Sequence, residues 1–562
     1  FPLFTRANTG EVFVDAATPL TWSLYGRSVY EMGYRDGLYR IGVFTAEDFK
    51  PEGQCEVVGC FGGYVYINVS LSRVLAVRTP GMTPEVIDQA FFGEHPDVRP
   101  HRPHPDDENE ACTARMVEWM GSLFTATEVP GLAQHRARID EIVAGRPDLS
   151  QLSDAELLER FRGIVPEMRE VFATHIVNLY SANIVAGLLA QVGAAVGAAD
   201  LASKVTAGVG DVDSAQQSFD LWDLSRVVRS APSVSAAFED GVDGLVDRLR
   251  SSGDPGAAEF LAGWDSFLEQ WGFLGPSVWE LRSPTYASHP EMPLRMLDRA
   301  RKVPDDDGPV QRSSALAGER EAAVKEIAGR LDADPTTQGT FLAAANAALI
   351  FMPAREATKV QCTRLCEEAR TTMRELGGRF VDRGVLTRWA DILLLMDDEI
   401  DGFLTAPGDF AAVIAERRER LALLESKWPP FIFEGATPTL DQFTDRSLDH
   451  AEPAESGAVL AGLGASPGIH TGVARIVHSL GDDSELEPGD VLVAATTDSS
   501  WGPLFLTAGA VVCQTGAAIS HAAIVSRELG IPAVVSVPDC TMKILPGMKV
   551  TVDGNAGTVT IH

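Results

Sequence analysis

The chain has 562 residues, 45% of them hydrophobic and 22% charged; this is ordinary globular composition with room for roughly two to four domains, and it excludes a disordered chain. Its 79 acidic against 47 basic side chains give a formal net charge of −32, which excludes a general nucleic-acid binder and disfavours an anionic membrane surface, since both must be met with Lys and Arg. The seven cysteines are too few for a disulfide scaffold, and neither Cys55/Cys60 nor Cys362/Cys366 has a His/Cys pair at metal spacing beside it. They read as small buried residues in a reducing compartment, without a metal.

The opening Phe1-Pro-Leu-Phe4 lacks an initiator Met and a leader pattern, so the chain reads as trimmed and cytoplasmic by default. From about residue 15 to 430 helical signals dominate. Tyr64–Asn68 alternates as a strand does, and the Pro- and acid-rich stretches 95–108 and 304–308 read as loops. Ser153-Asp-Ala-Glu156 fits a capping box, and Leu157, Phe161, Ile164, Val165 and Met168 then recur at helical spacing. The most apolar stretch, 184–199, contains Gln191 and stops at Asp200; it is short for a membrane span and suits a buried helix. Further amphipathic runs occupy 214–250, 315–350, 354–377 and 409–426. Residues 431–459, rich in Pro, Gly, Asp and Thr, read as a linker.

Short apolar runs follow at 474–477, 491–495, 510–513, 533–537, 549–552 and 558–561, separated by turns such as Pro488-Gly-Asp490 and Pro546-Gly547. The runs at 510 and 533 bracket a helical pattern from Ser520 to Leu529, which makes a βαβ-like unit. The expected fold is multidomain: a large, mainly α-helical domain over 1–430, a linker over 431–459, and a small α/β domain over 460–562.

The most informative segment runs from Gln514 to Glu528. It leaves an apolar strand, passes a Gly/Ala-rich turn and enters a helix near Ser520, which puts His521 in the first helical turn. Free N–H groups and the positive end of the helix dipole collect there. That position favours a neutral, nucleophilic imidazole and offers an anion site to a phosphoryl group carried on the ring. The small residues Gly516, Ala517, Ala518, Ala522 and Ala523 leave room for a bulky phosphate donor, and Ser520 can hydrogen-bond ring or phosphate. A lone His beside a glycine can equally be a packing or capping residue.

The residues around it closely resemble the phosphohistidine signature of the phosphoenolpyruvate (PEP)-utilising enzymes. Gly516-Ala517-x-x-Ser520-His521-Ala522-Ala523-Ile524-Val525-Ser526-Arg527-Glu528, then Gly530-Ile-Pro-Ala-Val-Val535, follows that pattern with one departure in the turn, Ala517 for a Gly. Gly464-Ala-Ser-Pro-Gly468, Pro488-Gly-Asp-Val-Leu-Val493, the segment Thr497-Asp498-x-x-Trp501-x-Pro503-Leu-Phe505 and Val550-Thr-Val-Asp-Gly554 resemble its flanks. The resemblance implies a swivelling phosphohistidine fold. Arg6-Ala-Asn8-Thr-Gly10-Glu-Val12, Thr18-Pro-Leu-Thr-Trp-Ser23, Arg355-Glu356 with Lys359, and Arg383-Gly-Val-Leu386 ahead of Asp391 are similar, more thinly, to the substrate domain of rifampicin phosphotransferase-like proteins. Where that domain carries Gly-His-Arg-Gly-Pro, this chain has Gly272-Phe273-Leu274-Gly275-Pro276, with Glu280 following.

The resemblance implies a phosphotransferase subunit. His521 would carry a phosphoryl group from a separate ATP-grasp partner to a hydroxyl of a small, apolar metabolite. The chain would bind no cofactor directly, because no P-loop pattern and no stretch for a nucleotide domain is found; Mg-ATP is expected on the partner. Gly516, Ser520 and Arg527 are the expected phosphate-binding residues. Arg355 and Lys359 are candidate neutralisers, Glu356 or Glu280 a candidate base, and Phe273 and Leu274 an apolar lining of the acceptor pocket. The alternative is a repurposed dehydratase, isomerase or cyclase using His521 as general acid/base without ATP. A non-catalytic binding subunit is the third class.

Overall fold

The computed structural model describes residues 2–7, 9–50, 54–92, 98–210, 212–446, 452–480, 486–517 and 520–562. They divide into two compact units that follow neither chain order nor the 430/460 boundary. One comprises Phe1–Ala182, Ser277–Ser283 and Ala357–Asp449, the other Asn183–Pro276, Pro284–Glu356 and His450–His562.

In the first unit the strands Val58–Phe61, Tyr64–Asn68, Leu3–Thr5 and Ile432–Glu434 form an antiparallel sheet in that order. Gly62 and Gly63 close the first hairpin with φ of 61° and 92°, the left-handed pair that a two-residue turn demands. The stretch read as a linker is partly built into this unit. Ile432–Glu434 pairs with Leu3–Thr5, and Lys427–Trp428 pairs with Thr444–Asp445; residues 447–451 lie outside the described residues. Edge strands recruit such segments through backbone bonds, which composition does not reveal.

The capping box is formed: Ser153 N donates to Glu156 Oε2 at 2.7 Å and Glu156 N to Ser153 Oγ at 3.3 Å. It opens the helix Asp154–Ala195. By length and composition this helix could cross a membrane, and half of its most apolar window is buried inside the protein. The runs read as 315–350 and 354–377 are cut elsewhere: one helix ends at Arg330, and Pro335–Asp382 is continuous through Pro353. Asp334 sets the new start by accepting from Thr337 N at 3.1 Å. The run 214–250 is three helices, Asp213–Ser230, Pro232–Glu239 and Leu245–Ser252. Pro232 lacks the N–H that would continue the first, and Gly244 takes φ +62° before the third.

In the second unit eight strands form one mixed sheet. In order they are Val459–Ala461, Thr558–Ile561, Lys549–Asp553, Ile469–Ile476, Val491–Ala494, Ala510–Cys513, Ala533–Val535 and Leu463–Ser466. The two edge strands are separated in sequence by Gly462 alone, so the sheet curls until its edges meet. Ala510–Cys513 and Ala533–Val535 are parallel, with the helix His521–Leu529 between them in sequence, as the βαβ reading requires. Val491, Val493, Ala510 and Val512 point into one core, and Leu492, Ala494, Val511 and Cys513 into another. The alternation that separates polar from apolar faces elsewhere is absent because both faces are buried. The second core continues through Trp501, Leu504 and Phe505 into Leu221, Trp264, Trp271 and Leu297 of the helices. Residues 183–276 and 284–356 therefore share one apolar interior with the α/β part.

Candidate active site

The strand Ala510–Cys513 delivers the chain to the turn that positions His521. Gly516 has φ +149°. A Cβ there would lie 2.8 Å from Val535 Cβ and 3.1 Å from Ser520 Oγ, so both conformation and space require glycine. Ser536 Oγ donates to Gly516 O at 2.5 Å and pins the turn. Ser520 is the N-cap residue, with extended backbone, and its buried hydroxyl has no protein partner. His521 is the first residue of the helix and is 1% exposed. Its Nδ1 lies 3.2 Å from Thr497 Oγ1, and Phe505 meets its ring edge-on at 5.9 Å. Ala518 and Ile519 lie outside the described residues.

Thr497 was visible only as part of the 497–505 motif; nothing in the sequence marked it as a ring partner. The contact joins residues 24 positions apart, and only the parallel pairing of Val491–Ala494 with Ala510–Cys513 brings them together. Replacing Thr497 by Val keeps the shape and removes this bond. The expected outcome is a Tm within a few degrees of wild type and a changed tautomer balance of the His521 imidazole, read by ¹⁵N NMR.

The helix His521–Leu529 packs against helices of its own unit. Asp498 caps the short helix Ser499–Trp501 through Ser500 N at 2.9 Å. The carbonyls of Ser499 and Ser500 accept from Gln217 Nε2 and from the Tyr286 hydroxyl. Ile524, one turn after His521, packs on Val212 and Ala215. Glu528, two turns after His521, accepts from Val209 N at 3.2 Å. Burial raises its carboxyl pKa, while backbone N–H groups of residues 208–210 and Arg320 act the other way. Since its folded pKa lies above the ordinary 4.5, the native protein holds that proton more tightly than the unfolded chain. Stability is therefore lost as pH rises through the folded value. Glu528→Gln should raise Tm relative to wild type above that value and flatten the dependence, checked by thermal scans from pH 5 to 8.

The other expected site residues are placed as follows. Arg527 is buried with no ion-pair partner among the described residues, and desolvation pushes it down to about 10, with Glu528 opposing. Six residues beyond His521, it sits about 240° around the helix axis and so on a different face. Arg355 Nη1 donates to Glu356 Oε1 at 2.6 Å, and Glu356 Oε2 is buried without a partner. Lys359, one turn beyond Arg355 on the same helix, is 5% exposed and has no ion pair among the described residues. Leu274 is 1% exposed in the core with Trp264 and Trp271, and Phe273 packs against that core. The chain turns back here, with Leu274 N donating to Trp271 O at 2.9 Å.

Glu280 is a hub rather than a free base. It accepts from Thr18 N at 3.0 Å, Thr18 Oγ1 at 2.7 Å, Thr21 Oγ1 at 2.9 Å and Arg282 N at 3.2 Å. This ties Ser277–Ser283 to the start of the π-helix Thr21–Glu31, joining two segments that the sequence reading singled out separately. Arg370 grips the same segment through Val278 O at 3.1 Å and Glu280 O at 3.0 Å. No group of three or more His, Cys, Asp or Glu that could hold a metal occurs among the described residues.

Residues 486–557 match the family model "PEP-utilising enzyme, mobile domain", and residues 172–356 match "Rifampicin phosphotransferase fourth domain". Over these two segments the chain is similar to PEP-utilising enzymes. Over its whole length it is 26% identical to the prodigiosin synthesizing transferase PigC of Serratia marcescens, covering 63% of that protein. It is 28% identical to the rifampicin phosphotransferase of a Streptomyces species over 65% of this chain and 42% of the relative. It is 35% identical to a probable phosphoenolpyruvate synthase of Pyrococcus abyssi over 33% of this chain and 21% of that protein. Relatives matched along the entire chain are longer, and the chain spans 62% to 63% of them. The mobile-domain match contains Thr497, Gly516, Ser520 and His521.

Proposed function

We propose that this chain is the phosphoryl-carrying part of a phosphotransferase. His521 takes a phosphoryl group made from ATP on a separate ATP-grasp partner and passes it to a hydroxyl of a small, largely apolar metabolite. The observation that carries this reading is an imidazole at the first position of a helix, inside a PEP-utilising mobile domain. The names of the relatives support phosphoryl transfer in general.

The chemistry divides into two displacements. With the Nδ1 proton on Thr497 Oγ1, Nε2 presents its lone pair; an N–P bond forms as the donor's P–O bond breaks, and the donor keeps that oxygen. In the second step the acceptor oxygen attacks phosphorus, the N–P bond breaks, and the hydroxyl proton passes to a base. The helix N-terminus and the Ser520 hydroxyl stabilise the carried dianion. Glu356 is the candidate base, with Arg355 and Lys359 neutralising charge. Between the steps the mobile domain lifts from the helices of residues 183–356, since the docked arrangement buries His521. Mg²⁺ arrives with ATP on the partner, and this chain binds no cofactor of its own. Seven free thiols suit a cytoplasmic setting.

The test is labelling with ATP carrying ³²P at both the β- and γ-positions, together with the ATP-grasp partner. Label should appear on His521 after alkaline work-up and vanish in acid. Turnover of a substrate by the isolated chain, with no nucleotide or phosphate donor, would sink the proposal in favour of general acid/base catalysis.

A further inference from the structure

The first unit contains a polar cluster that the phosphoryl-transfer reading leaves unused. Its two longest helices meet where His175 Nδ1, on Asp154–Ala195, lies 3.1 Å from Thr358 Oγ1, on Pro335–Asp382. Asn178 is one turn beyond His175, and Gln361 is one turn beyond Thr358. Each therefore lies on the same side of its helix as the contact residue. Trp279 closes the cluster. Its ring is stacked on Tyr30 at 5.4 Å, meets Phe172 edge-on at 5.4 Å and meets His175 edge-on at 6.1 Å.

Three of these side chains are buried with polar atoms that no protein group satisfies: Asn178 Oδ1, Trp279 Nε1, and both Gln361 Oε1 and Gln361 Nε2. Asn178 is 0% exposed, Gln361 2% and Trp279 8%. Buried polar groups are nearly always paired, so several orphans on facing helices and the adjoining loop need a cause. A packing role does not supply one, because apolar residues of similar size would fill the same volume without the desolvation penalty.

The donor set defines the ligand. The Trp279 indole only donates, Asn178 Oδ1 only accepts, and Gln361 offers one of each. A carboxylate would face two amide oxygens, and an ammonium would face two N–H groups. A hydroxyl donates and accepts from one atom and opposes neither. The ring walls of Trp279, Phe172 and Tyr30 suit a flat apolar body. We propose that this helix crossing binds the hydroxyl of a neutral, ring-bearing alcohol, held by Asn178, Trp279 and Gln361 with His175 beside it. Resting on the function proposed above, this hydroxyl is the phosphoryl acceptor.

Benzyl alcohol and toluene serve as probes, differing chiefly in the hydroxymethyl group, and ¹⁵N-indole NMR of the full chain is the readout. The Trp279 signal is identified by its loss in Trp279→Phe. In wild type, benzyl alcohol should shift that signal and bind at least about 10-fold more tightly than toluene. In Gln361→Leu and in Trp279→Phe, the latter followed by tryptophan fluorescence, the preference should fall to about one. Thermal stability should be retained or increased, because an orphaned polar atom is removed. No shift of the wild-type Trp279 signal up to the solubility of benzyl alcohol, which is the result for a cluster solvated by water alone, overturns the proposal. So does an unchanged preference in either variant. His521 labelling without benzyl alcohol binding sinks this site alone; binding without labelling sinks the phosphoryl relay and leaves the site standing.

Discussion

His521→Gln should remove all acid-labile label and abolish phosphoryl transfer. The amide fills much of the imidazole's volume but has no lone pair able to form a stable N–P bond. Folding should be little affected, since the contact of the ring with Thr497 Oγ1, at 3.2 Å, is long and the helix start rests on backbone bonds such as Ile524 N to Ser520 O at 3.0 Å. A Tm within a few degrees of wild type together with complete loss of label is the expected pair of results. Retained turnover at about 10⁻² to 10⁻⁴ of wild type, without label, would indicate a general acid/base instead. Transfer at the wild-type rate would mean that the phosphoryl group travels by another residue.

Glu280→Ala should be the most destabilising single substitution among the residues considered, at about 3–5 kcal/mol. It removes a buried carboxylate that accepts four hydrogen bonds, two of them from hydroxyls of Thr18 and Thr21. The orphaned donors cannot reach water, so they bear the full desolvation penalty. Glu280→Gln keeps part of the acceptor capacity and should cost about 1–3 kcal/mol. Urea unfolding followed by circular dichroism measures both. A near-neutral Glu280→Ala with a large loss of activity would instead make Glu280 a catalytic base.

The α/β part was legible because its signals are local. Its short apolar runs coincide with six of the eight strands, and its turns carry Gly or Pro where the backbone needs them. The strands Val459–Ala461 and Leu463–Ser466 were missed, being short, rich in small residues and recruited as edges. The acceptor side was legible only as a set of residues. The sequence marked Glu280, Arg355, Glu356 and Lys359 but not their state: Glu280 is saturated, Arg355 and Glu356 pair with each other, and Leu274 is core. Asn178, Trp279 and Gln361 carried no motif at all, because an orphaned polar atom is defined by what surrounds it.

By itself the sequence determined the class of the chain, the place of most helices and strands, and the nucleophile candidate. Each depends on periodicity, capping or turn chemistry within a few residues, which propensity and pattern encode directly. Tertiary structure alone decided how the chain is divided into units, with residues 183–276 and 284–356 sharing an interior with the α/β part and Ser277–Ser283 threaded into the other unit. It also decided that Thr497 faces His521 and that His175 meets Thr358, 183 positions away. Such pairings are fixed by the collective burial of whole helix faces and strand edges. No window of sequence records which distant face will complete another.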